Sequence, residues 1–146
     1  MSYWKLLLVT AAIALQVPAL AEDIAVKIYR NPSCGCCDAY ARYLQSNGFK
    51  VEVIDTFDAA AIHQKYGVPA SLEGCHTAII GNYIFEGLVP AEYIKQVLDQ
   101  HKPIKGLAVP GMPVGAPGMP GAKKAPINVY YLDAASSPSP RVFAIF

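Results

Sequence analysis

Three of the four cysteines in the sequence fall within four positions, Cys34-Gly35-Cys36-Cys37, and the fourth, Cys75, is followed directly by His76. Cys34 and Cys37 form a C-x-x-C pair, a spacing shared by dithiol redox motifs and by half of a metal site. Both chemistries act through the thiolate. A loop leading into a helix start favours that form, because the N-terminal amides and the helix dipole stabilise negative sulfur. Location alone therefore does not choose between them. The third thiol does discriminate. Cys36 adds nothing to a two-cysteine exchange reaction and would invite mixed disulfides. Thiolates this dense suit soft ions: Cu(I), zinc or iron–sulfur clusters. Consecutive residues do not easily aim both side chains at one small ion, so Cys36 and Cys37 point to different metal atoms. Thiolates bridging several Cu(I) ions meet that geometry, whereas a mononuclear tetrahedral zinc site would use it poorly.

Other soft or basic donors are few. Met112 and Met119 lie in matching Pro-Gly-Met-Pro units at 110–113 and 117–120. A thioether is an uncharged ligand suited to Cu(I), and equally a flexible plug that seats a loop on a core. His76 reads as a ligand beside Cys75 or as a hydrogen-bonded histidine at a strand end. His63 falls on a predicted helix and His101 at a helix end, where surface or capping roles are expected. No phosphate loop, paired-carboxylate site or nucleophile triad is present, and no catalytic residue is assigned.

The chain of 146 residues opens with a leader. A short segment carrying Lys5 precedes the apolar run Leu6 to Leu15, and Ala19-Leu20-Ala21 places small residues at a cleavage site. This is the layout of a secretory signal peptide over residues 1–21, and its apolar run is shorter than the roughly 20 residues of a membrane span. Export to the periplasm follows, with no stable membrane span after cleavage. The segment removes one lysine and no acid from the 12 basic and 11 acidic residues, leaving a neutral mature chain. Nucleic-acid binding, which rests on clustered Lys and Arg, is thereby disfavoured. Exported chains meet oxidising conditions, so two ordinary disulfides, Cys34–Cys37 and Cys36–Cys75, are the plain alternative to a metal site.

The elements that must position these residues are legible from pattern. Ile24 to Tyr29 alternates as a strand. Asn31-Pro32-Ser33 breaks it and supplies capping side chains for a helix over about 37–47, which Gly48 stops. A strand at Phe49 to Ile54 follows, then a helix capped by Asp58 and ended near Gly67. A hairpin turns at Gly81-Asn82 between Thr77 to Ile80 and Tyr83 to Phe85. Pro90 opens a third helix with the stripe Tyr93, Ile94, Val97 and Leu98. The order β, α, β, α, β, β, α is that of the thioredoxin fold, with the reactive cysteines between the first strand and its helix. Where such folds carry a cis-proline against that loop, this chain has Cys75-His76-Thr77. That weakens a disulfide-exchange role and turns Cys75 or His76 toward the other thiols. Nine of the 16 residues from 106 to 121 are Gly or Pro, a composition expected to admit no helix or central strand. Ile127 to Leu132 and Arg141 to Ile145 read as two further strands, expected to pair with the main sheet because an isolated hairpin is marginal in water.

Taken together, these motifs resemble the exported thioredoxin-like proteins of bacterial copper-resistance gene clusters, often called CopG-type. The resemblance is carried by Tyr29-Arg30-Asn31-Pro32-Ser33-Cys34-Gly35-Cys36-Cys37, Gly67-Val68-Pro69, Cys75-His76-Thr77, and Gly106-Leu107-Ala108-Val109-Pro110-Gly111-Met112-Pro113. It implies a thioredoxin-like α/β fold whose C-x-C-C thiols and later cysteine hold a cluster of copper ions. It further implies a role in copper tolerance, through copper redox chemistry in one version. One position departs: the family often has histidine in its Glu-Gly-x-Val-Pro segment, and Glu86-Gly87-Leu88-Val89-Pro90 carries leucine.

The sequence thus leads to a signal peptide at 1–21, a thioredoxin-like domain at 22–104, a Gly/Pro/Met-rich loop at 105–126, and C-terminal strands at 127–146 packing as a β-hairpin extension on the same domain. The expected cofactor is copper, as Cu(I) in a thiolate-bridged multinuclear cluster. Its candidate ligands are Cys34, Cys36, Cys37, Cys75, His76, Met112 and Met119. Expected partners are copper ions and other periplasmic copper-resistance proteins. The rival from the enzyme class is a thiol–disulfide oxidoreductase using Cys34 and Cys37.

Overall fold

The computed structural model describes residues 23–133 and 139–146. The predicted signal peptide lies outside the described residues. Seven strands form one sheet: β1 (Ile24–Arg30), β2 (Phe49–Asp55), β3 (His76–Ile80), β4 (Tyr83–Gly87), β5 (Gly106–Val109), β6 (Asn128–Tyr131) and β7 (Val142–Ile145). Three helices intervene, α1 (Gly35–Ser46), α2 (Ala59–Tyr66) and α3 (Ala91–Asp99), with a single 3-10 turn at Ala70–Leu72. The sheet order is β2-β1-β3-β4-β5-β6-β7. β1 runs parallel to β2, and β4 to β5; the other neighbouring pairs are antiparallel.

Local signals explain the elements. The Asp58 carboxylate accepts from the Ala61 amide at 2.9 Å and starts α2. Gly48, at φ +86°, takes the left-handed position beyond α1 that other residues avoid. α1 itself begins earlier than the pattern predicted. Its N-cap is Cys34, which makes no side-chain capping bond. Asn31 shapes the preceding turn instead: its Oδ1 accepts from the Ser33 amide and its carbonyl from the Cys34 amide, both at 2.9 Å. The expected capping by residues 31–33 is thus replaced by a turn that delivers the cysteines onto the first turn of α1.

Strand alternation divides the core between the two faces of the sheet. Val26, Ile28, Ala78, Ile80, Phe85, Leu107, Val109 and Val129 pack with Tyr40, Ala41 and Leu44 of α1 and Ala91, Ile94 and Val97 of α3. The opposite parity, Ile84 and Ala108, meets Val68, Leu72 and Leu132 in a smaller cluster. Each such large side chain contributes about 1.5–3 kcal/mol on leaving water. The two aromatic rings of Tyr93 and Tyr131 clasp Phe143 edge-on at 5.9 and 5.2 Å and hold β7 in place.

One expectation is overturned. The Gly/Pro-rich stretch does contain a central strand: β5, fully buried between β4 and β6. The prolines begin only at Pro110, so every residue of β5 keeps its N–H for the ladder. Gly106 is required by contact rather than by a turn, since a Cβ there would stand 1.6 Å from the Ile84 carbonyl oxygen. Gly106→Ala is expected to lower stability by about 3 kcal/mol or more. Gly35→Ala, whose Cβ would meet nothing within 4 Å, is expected to be neutral or slightly stabilising as a helix substitution. Denaturant unfolding of the two variants checks the contrast.

Candidate metal centre

β1 and β3 are antiparallel, and Arg30 pairs with His76 at the end of their ladder. The chain leaving β1 and the chain arriving at β3 therefore lie side by side, which brings Cys75 to the C-x-C-C turn. Arg30 fastens the turn from below. Its Nη1 lies 3.1 Å from Asp38 of α1 and donates to the Pro32 carbonyl at 3.3 Å. Its Nε is 3.1 Å from Asp55 at the end of β2, an ion pair without hydrogen-bond alignment.

The sulfurs of Cys34, Cys36, Cys37 and Cys75 all lie within 4.8 Å of one another. Cys34 and Cys37 are joined as a disulfide, and Cys36 and Cys75 are free thiols. Cys36 is the hub: its Sγ is 3.2 Å from Cys34 Sγ, 3.3 Å from Cys75 Sγ and 3.7 Å from Met112 Sδ. Of the two disulfides weighed from sequence, the first is formed and the second is a close contact between thiols. Cys37 is fully buried and its sulfur stands 3.5 Å from the Cys75 carbonyl oxygen.

The other candidates separate. His76 is buried, its Nδ1 is 3.6 Å from Cys75 Sγ, and its ring lies 4.6 Å from that of Tyr40. Burial holds the imidazole down to about 4, against an opposing backbone contact with Gly87, so the ring is neutral and keeps a lone pair for a metal. Among the described residues, no hydrogen-bond partner reaches its Nε2. Met112 is exposed over the thiols. Met119 packs against the main core while lining the same open cleft as Met112, Cys34 and Cys36. Gly118 lets this loop lie on α1, since a Cβ there would be 2.8 Å from the Tyr40 amide nitrogen. Leu88, the residue at which the sequence departs from the pattern it resembles, is wholly buried in the core.

Two residues beneath the site were misjudged or missed from sequence. His63 is neither a surface nor a capping residue: it is buried, with Nε2 3.1 Å from Glu86 Oε1 and Nδ1 3.5 Å from Glu73. Glu86 is completely buried and accepts from the Thr77 hydroxyl at 2.6 Å and the Gly74 amide at 2.8 Å. It thereby holds the Gly74 backbone and the Thr77 side chain, on either side of Cys75. A lone acid inside the apolar run Tyr83 to Val89 was the available signal, because a buried carboxylate is tolerated only when fully partnered.

Burial pushes the Cys75 thiol up to about 12, with the Cys36 sulfur and the Glu86 carboxylate adding to the effect. At pH 8 its thiolate fraction is then roughly a thousandfold below that of an ordinary thiol, partly offset by higher intrinsic nucleophilicity. Alkylation of Cys75 by iodoacetamide is therefore expected to be more than about tenfold slower than that of an exposed model thiol, as peptide mass spectrometry over time would read. Glu86→Ala leaves the Thr77, Gly74 and His63 groups without their acceptor and is expected to cost about 1–3 kcal/mol or more. Glu86→Gln, keeping one carbonyl acceptor, should cost less in the same unfolding measurement.

The fold and the site define an α/β protein with a cysteine-rich centre able to hold a metal. Residues 72–119 match the family described as "Protein of unknown function, DUF411". No curated protein matches the chain. Two solved structures of "Copper resistance protein copG", Form 2 and Form 1, are each 37% identical to it with a TM-score of 0.76. Each alignment covers 86% of this chain, and 99% and 98% of the respective relative. The chain belongs to this copper-resistance family.

Proposed function

We propose that this chain is an exported periplasmic protein of copper resistance that sequesters Cu(I) on the thiolates of Cys34, Cys36, Cys37 and Cys75, as a bridged multinuclear cluster. The observation that carries the proposal is the meeting of four cysteine sulfurs within 4.8 Å, with a thioether 3.7 Å from the central one. The donors fit the ion. Thiolate, thioether and neutral imidazole are soft or borderline ligands, and among the described residues no carboxylate joins the sulfur group, as calcium or magnesium would require. Two sulfurs bound to one ion stand at most about 4.6 Å apart if each bond is about 2.3 Å, as in zinc thiolates. The hub position of Cys36 suits a thiolate shared between ions. His76 and Met112 are placed to complete the coordination of outer ions, and Met119 to seat the loop that carries Met112. Reduction of the Cys34–Cys37 disulfide precedes full loading, since a disulfide sulfur is no thiolate. Residues 1–21 serve as the export signal, and other copper-resistance proteins of the same compartment are the partners for delivery.

Anaerobic titration of the reduced protein with Cu(I) is expected to saturate above one ion per chain. Cys36→Ser should lower the stoichiometry most among the single cysteine variants. Saturation at one ion or fewer would remove the multinuclear site. The disulfide itself favours a second reading, a thiol–disulfide oxidoreductase acting through Cys34 and Cys37. Insulin reduction that persists at full rate with copper chelated would support this alternative.

A further inference from the structure

We propose that the four sulfurs work as two pairs with different tasks. Cys34 and Cys37 form a dithiol–disulfide couple that supplies electrons and sets the copper capacity. Cys36 and Cys75, beneath Met112, retain one Cu(I) when that couple is oxidised. This rests on the copper reading above and adds redox control of the same site.

The division is visible in the bonding. Cys34 and Cys37, with Cα atoms 5.4 Å apart, are disulfide-linked, a separation inside the range such bonds adopt. Cys36 and Cys75 remain thiols with sulfurs 3.3 Å apart. Met112 Sδ stands 3.7 Å from Cys36 Sγ, and His76 Nδ1 3.6 Å from Cys75 Sγ. Closing the disulfide therefore removes two donors and leaves two thiols, a thioether and an imidazole grouped together. That set is enough to hold one Cu(I) and too small to bridge several. Met112 is 56% exposed, so the retained ion would sit at the mouth of the cleft, open to exchange.

The electrons balance with Cu(II) as the oxidant. Two Cu(II) ions each take one electron from the Cys34 and Cys37 thiolates, one S–S bond forms, and the thiol protons pass to solvent. Two Cu(I) ions result: one is kept by Cys36 and Cys75, and the other is released. A dithiol reductant reverses the change by exchange through a mixed disulfide, restoring four thiolates and full capacity.

Two measurements test the pairing. Reduced protein is mixed anaerobically with two equivalents of Cu(II), stripped of copper with bathocuproine disulfonate, alkylated and digested with trypsin. Cleavage after Arg30, Arg42, Lys65 and Lys95 separates Cys34, Cys36 and Cys37 from Cys75. The expected result is two Cu(I) formed per chain, with an internal disulfide in the first peptide and an alkylated Cys75 in the second. A cross-link between the two peptides would overturn the assignment of tasks. Next, the disulfide form is titrated with Cu(I) against bathocuproine disulfonate. One ion per chain is expected, lost in Cys36→Ser and in Cys75→Ser; no ion, or as many as on reduced protein, overturns the retained site. Several ions on reduced protein with none on the disulfide form would sink this pairing alone. A single ion on the reduced form would instead sink the multinuclear site beneath it.

Discussion

The antiparallel ladder between β1 and β3 brings together residues that are 38 positions apart in the chain, Cys37 and Cys75. Its register is held by the core. Val26 and Ile28 on one strand, and Ala78 and Ile80 on the other, all face the same buried layer. A one-residue slip would turn each of them toward the opposite face, so the hydrophobic effect forbids it. The thiol site thereby inherits its precision from apolar packing. Cys75 needs no loop of its own to reach the other cysteines, because it is the residue just before a strand whose position is already fixed.

Two opposed environments meet at that point. The first turn of α1 has no side-chain cap, so its free amides face the C-x-C-C turn. Cys75 stands at a strand end, partly desolvated, with the buried Glu86 carboxylate behind it, and its thiol holds its proton. Several thiolates within a few ångströms would repel one another strongly in such surroundings. Three ways of relieving that repulsion are chemically open: protons, a disulfide, or soft cations shared between the sulfurs. The structure carries the first two at once, with one pair bonded and one pair free. In the proposed loaded site soft cations would replace both, which would link metal binding to thiol redox state through one set of atoms.

The strands and helices from Ile24 to Leu98 were legible because each carries its own local signal, as Asp58 does for α2 and Gly81-Asn82 does for the hairpin. The meeting of the C-x-C-C group with Cys75 was legible for a different reason: the element order is that of the thioredoxin fold, in which the start of the third strand abuts the reactive loop. Three features were not. β5 was hidden because glycine and proline were weighed over a window that ran past its end at Val109, and the contact that demands Gly106 comes from β4, far away in sequence. The start of α1 was misplaced because its N-cap is a cysteine, which no capping preference marks. The partnership of His63 with Glu86 joins a helix to a central strand, and nothing local at His63 announces it.

The two Pro-Gly-Met-Pro units show how one short motif takes two roles from its surroundings. Met119 follows Gly118, which lies so close to α1 that no larger residue fits, and its side chain packs against the core. Met112 lies near the start of the same loop, where β5 has just left the sheet, and its sulfur hangs exposed beside Cys36. One methionine thus holds the loop down so that the other stays over the thiols. With Leu88 buried in the core, the candidate donors at this site are four cysteine sulfurs, one thioether and the ring of His76. That composition favours Cu(I), which binds soft sulfur tightly, over Cu(II), which prefers nitrogen and oxygen. A sulfur-rich site would therefore stabilise the reduced ion as well as capture it, so that the proposed electron transfer from the Cys34 and Cys37 pair to Cu(II) would run in the direction the remaining ligands favour.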